Sequence, residues 1–267
     1  MKRTAIACLT ALIAVGIWTP STPAQQDLDW SAGVVEAIGI GVPPSNIRSK
    51  AQGRAMAVRA ATADAQRNLI ETLQGVSVDA ETTVEDAMAS DIIRTKVKGI
   101  LRGARRVGKP TYLEDGSVEI TLAVRIRGAL TDALLPKEGF SAPVPEPEKR
   151  VEKPDGPTGL IVDARGLGLS PAMAPKVVDE ADRLVYGAKV VNREAAVQHG
   201  IAAYEKDLEL ARKSDRIGDN PILVKGVKAT GRNKTNVVVA EADGDKVRKA
   251  ADGQAFLNQC KVIVVVD

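Results

Sequence analysis

The sequence predicts an α+β protein in two units: an N-terminal helix-on-sheet domain ordered β-α-β-α-β-β, joined by a proline-rich linker to a C-terminal α/β domain. Three observations predict it. Residues 136 to 157 read PKEGFSAPVPEPEKRVEKPDGP, with six prolines and few apolar side chains. Such a segment buries too little surface to offset its ordering entropy, and its prolines keep it extended, so it reads as a semi-rigid spacer. Before it, helical spacing alternates with period-two stretches; after it, short apolar runs alternate with helical patterns and end in VIVVV.

Residues 1–24 read as a cleavable export signal. Lys2 and Arg3 supply the positive end, Ala5 to Ile17 the apolar run, and Thr22-Pro23-Ala24 a small-residue cleavage site. The run is too short to span a bilayer. The expected mature chain begins at Gln25 in the periplasm, with association at the outer membrane left open. Cys8 stands before most of the apolar run rather than after it, so lipidation there would leave a hydrophobic stub. Cleavage at Ala24 leaves Cys260 as the one thiol and no intramolecular disulfide.

The first unit, residues 25–135, opens with a strand over Val34 to Gly41, ended by Pro43-Pro44. Asn46 is the expected cap of a long helix to Leu73, with Ala51, Ala55, Val58, Thr62, Ala65, Leu69 and Leu73 on its apolar face. That face is small in volume, which suits close packing on a sheet. Val76 to Val84 alternates as a half-buried strand would, with Val76, Val78 and Ala80 on one side. Ser90 precedes a second helix whose apolar positions are Ile93, Val97 and Ile100 or Leu101. Strands over residues 104–113 and 117–127 follow, joined by Glu114-Asp115-Gly116, a hairpin signal because glycine tolerates positive φ.

The strand ending at Ile40-Gly41, the helix containing Ala51-Gln52-Gly53-Arg54-Ala55 and the run Ala60 to Leu69, and the hairpin with Tyr112, Asp115-Gly116 and Val118 together resemble the LPP-twenty family of bacterial envelope lipoproteins. They are also similar to the N-terminal domain of flagellar assembly protein T. The resemblance covers the first unit. It implies a non-enzymatic envelope protein, since several relatives build disks or rings around the flagellar motor. This chain departs from the lipoprotein branch in lacking a well-placed lipid-accepting cysteine.

The C-terminal unit, residues 158–267, begins with a strand over Gly159 to Ala164 that runs into Arg165-Gly166-Leu167-Gly168-Leu169-Ser170-Pro171. A phosphate cradle is one reading of that loop, but the third glycine of a dinucleotide fingerprint is missing and Pro171 stands where a helix should start. Short extended pieces are expected at residues 176–179 and 184–186. Asn192 caps an expected helix over residues 193–213, with Ala196, Gly200, Tyr204, Leu208 and Ala211 inward. Strands at 221–227 and 236–240, a helix over 246–257 and the apolar run 262–266 complete the unit; the last run suits a central strand covered on both faces.

Composition narrows function. Aromatic residues are 3% of the chain and the net charge is +3, which argues against a stacking platform for sugars or single strands and against a nucleic-acid footprint. His199, the only histidine, has no evident ligand or base partner, so a structural role is expected. Glu81, Glu85 and Asp86, or Asp243 and Asp245, are candidate hydrolytic carboxylates, for which solvated surface acids are the plainer explanation. Arg94 to Lys109 holds Lys96, Lys98, Arg102, Arg105 and Arg106 with no acid between, a face for an anionic lipid surface or an acidic partner, or a solvated one.

No catalytic, cofactor-binding or metal-binding residue is assigned. The expected function is a non-enzymatic periplasmic envelope protein, a structural or assembly component such as a basal-body-associated ring or disk protein. Its partners would be envelope or flagellar basal-body proteins or further copies of itself, with peripheral outer-membrane contact and no nucleic acid. The alternative is a periplasmic ligand-binding module or hydrolase using the C-terminal unit, marked by a deep polar pocket near Gly166 to Ser170 or around His199.

Overall fold

The computed structural model describes residues 27–46, 49–141, 156–252 and 254–267. The leader with Cys8 and spacer residues 142–155 lie outside them. No described helix is long and apolar enough to cross a membrane.

Residues up to 125 build a four-stranded antiparallel sheet from β1 (Asp27–Asp29), β2 (Val34–Gly41), β3 (Arg105–Tyr112) and β4 (Val118–Arg125), in the order β1-β2-β4-β3. The predicted hairpin is β3–β4, with Gly116 at φ +85° in its turn. Val118, Ile120, Leu122 and Val124 of β4 are buried, as their alternation requires.

One face of this sheet carries α1 (Lys50–Gln74). Ser49, not Asn46, caps it: Ser49 is the extended residue directly before the helix and its hydroxyl accepts the Gln52 N–H, whereas Asn46 lies in a turn. The buried stripe also differs from the expected one. It runs at every fourth residue through Gly53, Ala57, Ala61, Ala65, Leu69 and Leu73, leaving Ala51 and Ala55 exposed. Gly39 and Gly41 of β2 draw the helix onto the strand there, so only small side chains fit at the contact. Beyond the end of β1 the strand edge is completed by the helix itself: Asn68 Nδ2 donates to the Ile38 carbonyl at 2.7 Å and Asp64 accepts the Ile40 N–H at 3.0 Å.

Val76 to Val84 is not a strand of this sheet. Val76, Val78 and Ala80 are buried, but the segment bends back on itself, Val84 N–H donating to the Val76 carbonyl and Val78 N–H to the Thr82 carbonyl, and its other carbonyls take bonds from the C-terminal part of the chain. Met173 N–H donates to the Ser77 carbonyl, Ala174 N–H to Val78 and Asn233 N–H to Ala80. It then enters the short helix α2 (Val84–Ala87), closed by a capping box between Thr83 and Asp86. α3 (Asp91–Arg102) buries Val97 and Leu101, and α4 (Ala129–Leu134) follows β4.

Residues from 159 on build a seven-stranded mixed sheet, ordered β7-β6-β10-β9-β5-β11-β8. Its strands are β5 (Gly159–Asp163), β6 (Val177–Asp179), β7 (Leu184–Tyr186), β8 (Ala203–Glu205), β9 (Pro221–Thr230), β10 (Asn236–Val239) and β11 (Val262–Val265). β9, β5, β11 and β8 are parallel neighbours. β11 is fully buried between β5 and β8 and covered on both faces as its apolar run predicts, but it is one strand in from the sheet edge rather than at the centre.

The long helix expected over 193–213 is three elements: α5 (Arg193–His199), β8 and α6 (Leu208–Arg212). Gly200, at φ +75° and ψ 149°, stops α5 and lets Tyr204 enter the sheet. Asn192 does cap α5, accepting the Ala195 N–H. The last helix, α7 (Glu241–Ala251), begins before the expected residue 246 and ends at Ala251, and the residues from 254 are non-helical.

One apolar cluster runs through both sheets, from Val35 and Leu69 to Val224 and Val264; a smaller one under α6 holds Ile161, Ile263 and Ala211 on the other face of β5 and β11. The start of the proline-rich segment is held as well. Ser141 N–H donates to the Val191 carbonyl and Pro136 accepts from Arg193, whose guanidinium also pairs with Asp132 at 2.8 Å.

Candidate functional site

A cleft of about 1060 Å³ opens where the two sheets meet. One wall is the first sheet: Leu28 and Asp29 on β1, the turn Trp30-Ser31-Ala32, and Val34 and Glu36 on β2. The other is the carboxyl edge of the parallel strands: Gly168, Leu169 and Pro171 after β5, Glu205 to Asp207 at the end of β8, and Val266-Asp267 after β11. Open α/β sheets present ligands at this edge, because loops leaving parallel strands diverge there. The Trp30 and Tyr204 rings pack edge to face, 5.3 Å between centroids, and close the bottom of the seam. Tyr204 is fixed from behind, its hydroxyl exchanging two 2.9 Å hydrogen bonds with the main chain of Ala172.

The lining is apolar with a concentration of carboxylates. Asp29 accepts from the Ala32 N–H at 2.9 Å and from the Ser31 hydroxyl, and the Ala32 bond chiefly holds its carboxyl below the usual range, against burial. Asp207 caps α6 through the Glu209 and Leu210 N–H groups. Asp267 accepts the Gly166 N–H at 2.8 Å. Glu205 is different: among the described residues its carboxylate has no ion pair or hydrogen bond, and burial, then the charge of Asp29, pushes its pKa up. Asp29 and Glu205 are therefore two carboxylates displaced in opposite directions beside one cavity.

The glycine-rich loop does not form a phosphate cradle. Three of its amides are committed, Gly166 to Asp267, Leu167 to the Ala164 carbonyl and Ser170 to the Lys234 carbonyl, while Arg165 grips Asp163 with two bonds of 2.8 and 2.7 Å. The loop lines the cleft with Gly168, Leu169 and Pro171.

His199 ends α5 outside the cleft lining. Burial, then the charges of Arg216 and Arg127, push its pKa down. Arg216 donates to the carbonyls of His199, Gly200 and Ile201, tying the helix end to the turn that follows. Cys260 is buried nearby and its thiol is pushed up to about 11 by burial, which makes it unreactive. The candidate hydrolytic acids do not converge on a cavity. Asp86 belongs to the capping box with Thr83, Glu81 reaches the Arg232 N–H, and Asp245 pairs with Arg248 at 2.6 Å and Arg183 at 3.4 Å, beside the buried Asp179. In the basic stretch Arg94 pairs with Asp91, and among the described residues Lys96, Lys98, Arg102, Arg105, Arg106 and Lys109 have no ion pair.

The residues that line the cleft most informatively, Trp30, Asp29 and Glu205, escape sequence reasoning because they come from opposite ends of the chain. The available signal is the glycine-rich loop after an apolar strand. Comparison with known proteins bears on one wall only. The chain matches no curated protein. Residues 159–267, which hold the loop, Glu205, Asp207 and Asp267 but not Trp30 or Asp29, are similar to the family described as Treponema pallidum Tp0624, second domain.

Proposed function

We propose that this chain is a non-enzymatic protein of the bacterial periplasm that works by holding a partner in the cleft between its two sheets, as a structural or assembly component of the envelope. The observation that carries this reading is the cleft itself, at the carboxyl edge of β5, β11 and β8, with an unpaired and partly desolvated Glu205 among apolar walls. The leader at residues 1–24 supports the compartment, and the resemblance of the first unit supports the envelope role, including a basal-body ring or disk.

A cysteine introduced by Ser31→Cys, on the lip of the cleft, tests compartment and occupancy together. In cells with a permeabilised outer membrane, a membrane-impermeant maleimide should label it, and more slowly than in the purified protein. Labelling only after lysis of the inner membrane sinks the periplasmic assignment, and equal rates in cells and in purified form sink occupancy. A deletion strain with normal motility and envelope integrity removes the basal-body role.

A second reading, a hydrolase, is favoured by one observation: the opposite displacement of Asp29 and Glu205 is what paired acid and base require. It predicts that Glu205→Gln destroys a hydrolytic activity in the purified protein while leaving ligand capture intact.

A further inference from the structure

Val34 and Glu36 line two hollows at once. Besides the seam cleft they border a second one of about 580 Å³, whose other lining includes Arg105, Arg125 and Arg127. Both lie on the face of the first sheet that α1 leaves uncovered. Glu36 pairs with Ala123 and Ala123 with Arg105, so these three stand in one row across β2, β4 and β3. Adjacent strands lie about 4.8 Å apart, which puts the Glu36 and Arg105 backbones about 10 Å apart with only an alanine between. Arg125, opposite Val34, stands in the next row. Among the described residues none of the three arginines has an ion pair. The floor is therefore continuous and its charge changes sign along it: Glu205 and Asp207, with Lys206 between them, at the seam, Glu36 next, and Arg105 and Arg125 at the far end, while Arg127 lies back against Gly33 and Gly200.

Building on the reading of the cleft as a binding site, we propose that the two hollows form one groove for an extended peptide segment with cationic side chains at one end and anionic side chains at the other. The cations meet Glu205, which lines the cleft half-buried and has no ion pair among the described residues. The anions meet Arg105 and Arg125, which are exposed and offer planar forks suited to carboxylates. The middle of the segment crosses Trp30 and Val34 beside Glu36, which suits small side chains. An extended chain rises about 3.3 Å per residue, so the stretch from Glu36 to Arg105 alone takes about three residues, the minimum spacer between the two charged ends.

The test uses the full chain carrying Trp18→Phe, so that Trp30 is the one indole and reports on the cleft. Four peptides with blocked termini are titrated: Lys-Lys-Ala-Val-Ala-Glu-Glu, the cationic-only Lys-Lys-Ala-Val-Ala-Gln-Gln, the anionic-only Gln-Gln-Ala-Val-Ala-Glu-Glu, and the alternating Lys-Glu-Ala-Val-Ala-Lys-Glu. The two-ended peptide is expected to bind about tenfold more tightly than either one-ended peptide, because the second end is captured intramolecularly. Arg105→Gln with Arg125→Gln should erase that advantage while leaving the cationic-only peptide unaffected, which also shows that the variant is folded. Glu205→Gln should weaken both. If the alternating peptide binds within about twofold of the two-ended one, or the arginine variant keeps the advantage, the two-ended groove is wrong and the cleft reading stands. If no peptide changes Trp30 emission up to about 1 mM, both fall.

Discussion

Gly41 on β2 lies so close to Ala57 on α1 that a Cβ at Gly41 would stand 2.0 Å from the Ala57 carbonyl oxygen. Gly39 is in the same position against Ala61 and Ala65, at 2.3 and 2.1 Å. These neighbours are backbone atoms and cannot rotate away, so helix and strand would have to separate. Gly41→Ala is expected to cost about 3 kcal/mol or more in urea unfolding, at the upper end of overpacking effects. Gly99→Ala, on the exposed side of α3 with nothing within 4 Å, is the control and should stabilise by about 0.5–1 kcal/mol.

Tyr204→Phe removes the hydroxyl that holds the Ala172 N–H and carbonyl, both in a buried setting, while leaving the ring against Trp30. The expected loss is about 1–3 kcal/mol, since the Ala172 groups lose their partner without regaining water. Because Ala172 adjoins the bonds that the Met173 and Ala174 N–H groups donate to the Ser77 and Val78 carbonyls, amide exchange at residues 172–174 should accelerate, while Val76, Val78 and Asp79, which donate to Leu73 and Thr82, should not follow. Unchanged exchange at Met173 and Ala174 would show that the seam is held independently of Tyr204.

How much of this was legible in the sequence depended on whether a residue's partners were near it or across the seam. β4 and β11 could be read directly, because alternation and an unbroken apolar run report burial on one face or two. Val76 to Ala80 gave the right burial and the wrong conformation: alternation reports which side chains are inward, and a loop that folds back on itself at Thr82 buries the same three residues. Ala196, Tyr204 and Ala211 are all buried and fall at helical spacing, but they sit on a helix, a strand and another helix, and only Gly200 hinted at the break. The alanine stripe of α1 was read as packing, yet its register was set by Gly39 and Gly41 on another element. The cleft was illegible for the same reason, since Asp29 and Glu205 meet only once both sheets are in place.

Asp179 is buried at the end of β6 and accepts from the Ala181 and Arg183 N–H groups and from the Arg183 and Arg248 guanidinium groups. Burial opposes its charge, but the Arg183 N–H and Arg248 outweigh it and hold the carboxyl below the usual range. A depressed folded pKa contributes stability that is present above the unfolded value, about 3.9, and lost as pH falls through the folded value. Asp179→Asn should therefore destabilise at neutral pH, leaving Arg248 and Arg183 to Asp245 and Glu241, and should flatten the acid limb of the stability curve below about pH 4. An unaltered acid limb would assign that slope to other carboxylates.

Glu205 carries the opposite sign. Its folded pKa is raised by burial and by Asp29, so its contribution to stability is fully present below the unfolded value, about 4.3, and is lost as pH rises through the folded value. Ionising Glu205 therefore works against the fold, as charged groups kept for binding do. Glu205→Gln should raise the thermal midpoint at neutral pH, with an advantage that shrinks as the pH is lowered toward 4.3 and vanishes below it. Asp29→Asn should lower the Glu205 pKa, which carbon-13 labelling of the glutamate carboxyls can follow directly. A stabilising Glu205→Gln that also loses the cationic peptide joins the two properties in one side chain: the charge that weakens the fold is the one that binds. If the variant is no more stable at neutral pH, Glu205 is solvated after all and the argument for it as the ligand's counter-charge fails.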